Sequence, residues 1–120
     1  MGEKRENIVL NKSIQFSMDI IEFTEQLYEM KRYRLADQIF GSGTSIGANV
    51  REAQSAESIK DFIHKMKIAH KEAYEVEYWL LLCKESKYYP FEEKLLKEAE
   101  ELLKIIGKII HTSKQNIKRN

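Results

Sequence analysis

The stretch from Leu35 to Ala53 constrains this chain more than any other, because it has two readings that lead to different proteins. Gly41, Gly43 and Gly47 alternate with Ser42, Thr44 and Ser45, a composition that suits a phosphate-cradling loop. Yet Leu35, Ile39, Ser42/Gly43, Ile46, Val50 and Ala53 recur every three or four residues, the repeat of one helical face. A Walker loop needs a lysine after its glycines and a strand before them, and the dinucleotide fingerprint needs that strand too; neither is here. We therefore read a helix. Each interior glycine costs about 1 kcal/mol against alanine, so packing must offset all three. Ala36, Gly43 and Gly47 lie along one edge of the apolar stripe, where small residues let a second helix backbone approach. Ser42, Gly43, Ile46, Gly47, Asn49 and Glu52 form the expected helix-packing motif. Gly43→Leu is expected to overpack it by about 1–3 kcal/mol, and Gly43→Ala to be much milder.

The same period continues on both sides. A first helix is expected from about Asn11 to Met30, with Ser13, Phe16, Ile20, Phe23 and Leu27 on one face. Ser17, Thr24 and Tyr28 lie beside that face, and Glu22, Glu25, Gln26 and Glu29 outside it. A basic turn, Lys31-Arg-Tyr-Arg34, follows. A third helix starts at Ser58, where Ser58-x-x-Asp61 has the form of a capping box with Asp in place of Glu or Gln. Its stripe is Phe62, Met66, Ala69, Ala73, Val76, Leu80 and Cys83. Tyr88-Tyr89-Pro90 ends it near Lys87, since the residue before proline disfavours the helical region. A fourth helix spans about Phe91 to Ser113, with Leu95, Ala99, Leu102, Ile106 and Ile109 as core line and Leu96, Leu103 and Ile110 beside it. Residues 1–10 and the basic tail 114–120 are expected to fray. The sum is an all-α, antiparallel up-down four-helix bundle, a single domain over 1–120.

At 120 residues, 42% hydrophobic and 32% charged, the chain can bury one core and is not a disordered segment. A net charge of +1 gives no global pull toward nucleic acid or anionic lipid. The one cysteine excludes an internal disulfide. No apolar run approaches the roughly 20 residues of a membrane span, and the charged start has no apolar segment after it. A cytoplasmic protein is expected.

Residues that could carry chemistry do not assemble by spacing. His64, His70 and His111 have no metal-ligand pattern. Asp61-x-x-His64 resembles half of a di-iron element, without the second element or the inward carboxylates. Cys83 is on an apolar stripe, which suits a buried structural thiol. Glu72, Glu75 and Glu77 suit a solvated, salt-bridged helix face. The expectation is a non-enzyme without metal or cofactor.

Surfaces are more telling. Residues 78–83, Tyr-Trp-Leu-Leu-Leu-Cys, are apolar all round a helix, and a helix apolar on every side needs cover on every side. Tyr74, Tyr78, Trp79 and Leu82, with Leu96 and Leu103, are therefore the expected oligomer interface. Lys60, His64, Lys67 and Lys71 share a basic face that, with Arg32, Arg34 and the tail, would serve nucleic acid. The strip Ser42, Ser45, Asn49 and Glu52 suits an interhelix seam or a small recognition strip.

Several segments resemble, in order, the small bacterial four-helix bundle proteins related to those encoded in ribosomal-RNA intervening sequences. They are Asn7-Ile-x-x-x-Lys12-Ser13, Ser42-Gly-Thr-Ser-Ile-Gly-Ala-Asn-Val-Arg-Glu-Ala53, Asp61-Phe-Ile-x-Lys65-x-x-x-Ala69 and Lys71-Glu-Ala-x-Glu75-x-x-Tyr78-Trp79-Leu80. The resemblance spans roughly residues 7 to 110. It implies a four-helix bundle, assembly into homopentamers and no assigned catalytic role. A related branch, the accessory proteins of diversity-generating retroelements, binds a reverse transcriptase and nucleic acid. Two functions are thus in view: a non-enzymatic, homo-oligomeric scaffold contacting itself or other proteins, and a nucleic-acid-binding accessory protein with a basic face repeated around a ring.

Overall fold

A computed structural model describes residues 2–119, and side chains over 8–118. It contains four helices, α1 (Gly2–Glu29), α2 (Tyr33–Ala53), α3 (Ile59–Glu85) and α4 (Glu93–Arg119). Each packs on its neighbours in sequence, and α1 closes on α4. Among the described residues the backbones on the α1–α3 and α2–α4 diagonals stay more than 8 Å apart, Cα to Cα. The direction of each helix follows from what it meets. Gly43 lies against Ile20 and Gly47 against Ser13 and Ser17. Glu52 pairs with Lys65, His70 lies at Gly107, Lys12 pairs with Glu101 and Asp19 with Lys94. Every adjacent pair is antiparallel, giving an up-down bundle of 52 × 23 × 20 Å.

The helical period places the core as expected. Phe16, Ile20, Phe23 and Leu27 of α1 share one buried cluster with Ile39, Ile46 and Val50 of α2, Met66, Val76 and Leu80 of α3, and Leu95, Leu102 and Ile106 of α4. The glycine-rich stretch is unbroken helix, with Ser42, Gly43, Ile46 and Gly47 all buried. Both outer helices run beyond their expected bounds. α1 begins at Gly2 rather than near Asn11, and Val9, inside the segment expected to fray, is fully buried. α4 continues through Arg119, with Ile117 packed on the core.

Local chemistry sets the turns. Lys31 adopts a left-handed φ of 61°. Its N–H donates to the Tyr28 carbonyl, and the Arg32 N–H donates to that of Leu27, both at 2.9 Å. This is the paired bonding that closes a helix C-terminus, here without the usual glycine. Ser58 caps α3 as expected, its hydroxyl accepting from the Asp61 N–H at 3.0 Å. Asp61 in return accepts from the Glu57 N–H, one residue before the cap, at 3.1 Å.

The two buried glycines differ in what surrounds them. A Cβ on Gly43 would lie 2.9 Å from Cγ1 and 3.0 Å from Cγ2 of Ile20, atoms close to the root of a buried side chain. The expectation that Gly43→Ala is mild is therefore corrected: even one methyl overfills this contact. A Cβ on Gly47 would meet the Ser13 and Ser17 hydroxyls at 3.4 Å, an ordinary contact. Urea denaturation should separate them. Gly43→Ala should destabilise by about 1–3 kcal/mol, whereas Gly47→Ala should stabilise by up to about 1 kcal/mol through helix propensity. Equal shifts of the two midpoints would refute this assignment.

Candidate functional site

The outer surface of α3 is apolar where the sequence predicts it. Tyr74 is 57% and Tyr78 55% exposed, and Leu81 and Leu82 are exposed with them. The six residues expected at an oligomer interface do not form one patch. Tyr74 and Tyr78 face outward, with Tyr74 edge-on to His70, the residue at Gly107 of α4. Leu103 is half-buried against the core. Trp79 and Leu82 turn toward α2 and line a groove with Leu35 and Tyr89. Leu96 is a correction: it is 3% exposed and belongs to the core, because α4 packs its second apolar line against α3 of the same chain.

A second apolar surface was not anticipated. Ile14 (50% exposed), Met18 (59%) and Ile21 form a row on α1, four and three residues apart. The Gly43–Ile20 register places exposed Phe40 of α2 at its Ile21 end. This spacing was present in the sequence, on the side of α1 away from its core stripe. The cyclic order of the helices sets this α1–α2 surface opposite the α3–α4 surface carrying Tyr74 and Tyr78.

Charge gathers at one end of the bundle. Lys60, His64, Lys67 and Lys71 are all exposed on α3. Lys114 of α4 joins them: Lys67 beside it, and then Lys118, push the Lys114 ammonium below its ordinary range. Sequence alone marked the tail as basic but could not place it against Lys67. Arg32 and Arg34 begin α2 at the other end of the 52 Å bundle and do not join this patch.

The polar strip of α2 is engaged locally. Ser42, Ser45 and Asn49 donate to the carbonyls of Gln38, Gly41 and Ser45 at 2.7, 2.6 and 2.9 Å. Glu52 reaches Lys65 at 3.8 Å. These side chains satisfy one helix and link it to the next.

Among the described residues, no group of three or more His, Cys, Asp or Glu side chains converges as metal ligands would. No helix there is long and apolar enough to cross a membrane. Cys83 is buried, and burial pushes its thiol up to about 11, so its nucleophilic thiolate is scarce at neutral pH. Burial also raises Glu72, with help from Glu75, and Glu77, with help from Glu100. The largest carboxylate effect is on the α1–α4 seam. Burial and the neighbouring Asp19 push Glu98 up to about 7, opposed by Lys94.

The sign of that shift is informative. A carboxyl that binds its proton more tightly when folded stabilises the fold below its unfolded pKa and loses that contribution as pH rises through the folded value. Melting temperature should therefore decline between about pH 4.5 and 7. Glu98→Gln should flatten this decline and raise stability at pH 8. An unchanged slope in the variant would remove Glu98 as its source.

The family model described as 23S rRNA-intervening sequence protein matches residues 5–109. The chain is also similar to a crystal structure from Bacteroides thetaiotaomicron, a protein of unknown function from the S23 ribosomal protein family. They share 42% identity over 89% of this chain and 98% of that one, with a TM-score of 0.84. No curated protein matches.

Proposed function

The chain belongs to the 23S rRNA-intervening sequence protein family, and we propose that it is a non-enzymatic, self-assembling scaffold whose surfaces, rather than an interior site, carry its role. The observation behind this is the pair of opposed apolar surfaces, Tyr74, Tyr78 and Leu81 on one side and Ile14, Met18, Ile21 and Phe40 on the other. Unlike surfaces on opposite sides of one subunit suit head-to-tail association, and such contacts leave no surface bare only when they close into a ring. Five subunits is the number the family resemblance implies. Burying one such aromatic contributes roughly 1.5–3 kcal/mol by transfer area. Tyr78→Asp and Met18→Asp should each reduce the assembly to a 14.2 kDa monomer in light scattering at micromolar concentration, with helicity retained. A wild-type mass of one subunit would sink the proposal.

A second function is favoured by Lys67 of α3 and Lys114 of α4, two cations that the fold brings close enough for the first to lower the second despite their repulsion. An end lined by Lys60, Lys67, Lys71 and Lys114, repeated around a ring, would bind RNA through its phosphates, the weak site of each subunit multiplied by valency. Replacing Lys60, Lys67 and Lys71 by Glu should abolish a salt-sensitive RNA gel shift without changing the oligomer mass. Undiminished binding would reduce these lysines to a solvated face.

A further inference from the structure

A groove between the start of α2 and the end of α3 is lined by Arg34, Leu35, Gln38, Trp79, Leu82, Ser86 and Tyr89, with a volume of about 480 Å³. The volume is that of a small-molecule pocket, here as an open groove rather than an enclosed cavity. Its floor is apolar, made by Leu35, Trp79, Leu82 and Tyr89, and no carboxylate lines it. Two of its donors, at Arg34 and Trp79, lack an acceptor, beside the neutral groups of Gln38, Ser86 and Tyr89. Arg34 is exposed and makes no ion pair among the described residues. The guanidinium of Arg32 lies 5.3 Å from the centre of the Tyr89 ring, and its Nε is buried without a hydrogen-bond partner. The indole Nε1 of Trp79 is likewise buried and unpartnered.

The start of α2 adds to this field. Arg32 occupies the N-cap position without a side-chain cap, and the first turn of this 21-residue helix contains no acidic residue. Its leading N–H groups and the positive end of its dipole therefore stand uncompensated. The guanidinium of Arg34, an unsatisfied indole N–H and a bare helix start border one apolar trough, and Arg32 backs it from behind the Tyr89 ring.

We propose that this groove binds a small carboxylate with an aromatic or aliphatic body, the body on Trp79 and Leu82 and the carboxylate at Arg34. The chemistry is complementary on both counts: apolar area to cover Trp79 and Leu82, and negative charge for Arg34, which no ion pair engages among the described residues. The groove opens on the α2–α3 side and adjoins the surface of Tyr74 and Tyr78, the Tyr78 ring lying 5.3 Å from that of Trp79, centre to centre.

Trp79 is the only tryptophan of the chain and reports directly on the groove. Intact protein should be titrated with 4-phenylbutyrate and with its neutral counterpart 4-phenylbutanamide, following tryptophan emission excited at a wavelength neither probe absorbs. The carboxylate should give a saturable change, and the amide should bind at least tenfold more weakly. Arg34→Gln, a substitution at an exposed site, should weaken the carboxylate by about tenfold and leave the amide unchanged. Absence of a saturable change with the carboxylate would overturn the proposal. So would equal binding of acid and amide, or an Arg34→Gln protein with wild-type affinity for the acid.

Discussion

The bundle depends on how closely α1 and α2 approach. Gly43 admits the whole side chain of Ile20, and Gly47 admits the hydroxyls of Ser13 and Ser17. Those hydroxyls donate to the Leu10 and Ser13 carbonyls of their own helix, at 2.8 and 2.9 Å, so the contact is close and polar without stranding a donor. Any side chain at Gly43, or one longer than alanine at Gly47, would hold the helices apart and carry Ile39, Ile46 and Val50 away from Phe16 and Phe23. Each glycine costs about 1 kcal/mol of helix propensity. The large side chains brought together by the approach each return roughly 1.5–3 kcal/mol by burial. The rest of the ring, including the register of α3 on α2, is built outward from this pair.

That logic made the architecture legible in the sequence. Core residues recur at a period that cannot be mistaken over twenty residues, and the stripes of all four helices lie inside as expected. Misjudgements arose where a second helix decides the outcome. Leu96 and Leu103 look alike on a helical projection, yet Leu96 is in the core and Leu103 at its edge, because α3 covers one more than the other. The row Ile14, Met18 and Ile21 was overlooked because the glutamates of α1 dominate its outer side further along. The start of α1 was missed because one buried residue, Val9, is too little to establish a period. The groove at Trp79 draws on the start of α2, the end of α3 and the turn at Tyr89, a juxtaposition no local pattern contains.

The near-neutral charge of the chain conceals a division of labour over its surface. Cations from α3 and α4 cluster at one end, uncompensated arginines begin α2 at the other, and apolar rows occupy two opposite sides between them. The interior is occupied by aliphatic and aromatic packing, with a thiol that burial holds protonated. A protein arranged in this way presents its chemistry outward, and self-association would multiply each surface feature by the number of subunits.

The seam between α1 and α4 differs in kind from the other three. Those join consecutive helices, whereas this one unites the two ends of the chain, with Lys12 bonded to Glu101 across 89 positions of sequence. Three hairpins can form from nearby segments, but the last closure must bear the loop entropy of almost the whole polypeptide. It is tied by an exposed ion pair between Lys12 and Glu101, an interaction of about 0–1 kcal/mol, and by Lys94 on the largely buried Asp19, and beside the latter it holds a carboxyl close to its titration point. The bundle thus resembles a strip of four panels joined by three hinges, with a clasp along one edge. Its cheapest excursion from the native state is to unfasten that clasp and swing α4 outward, and proton concentration sets the tension.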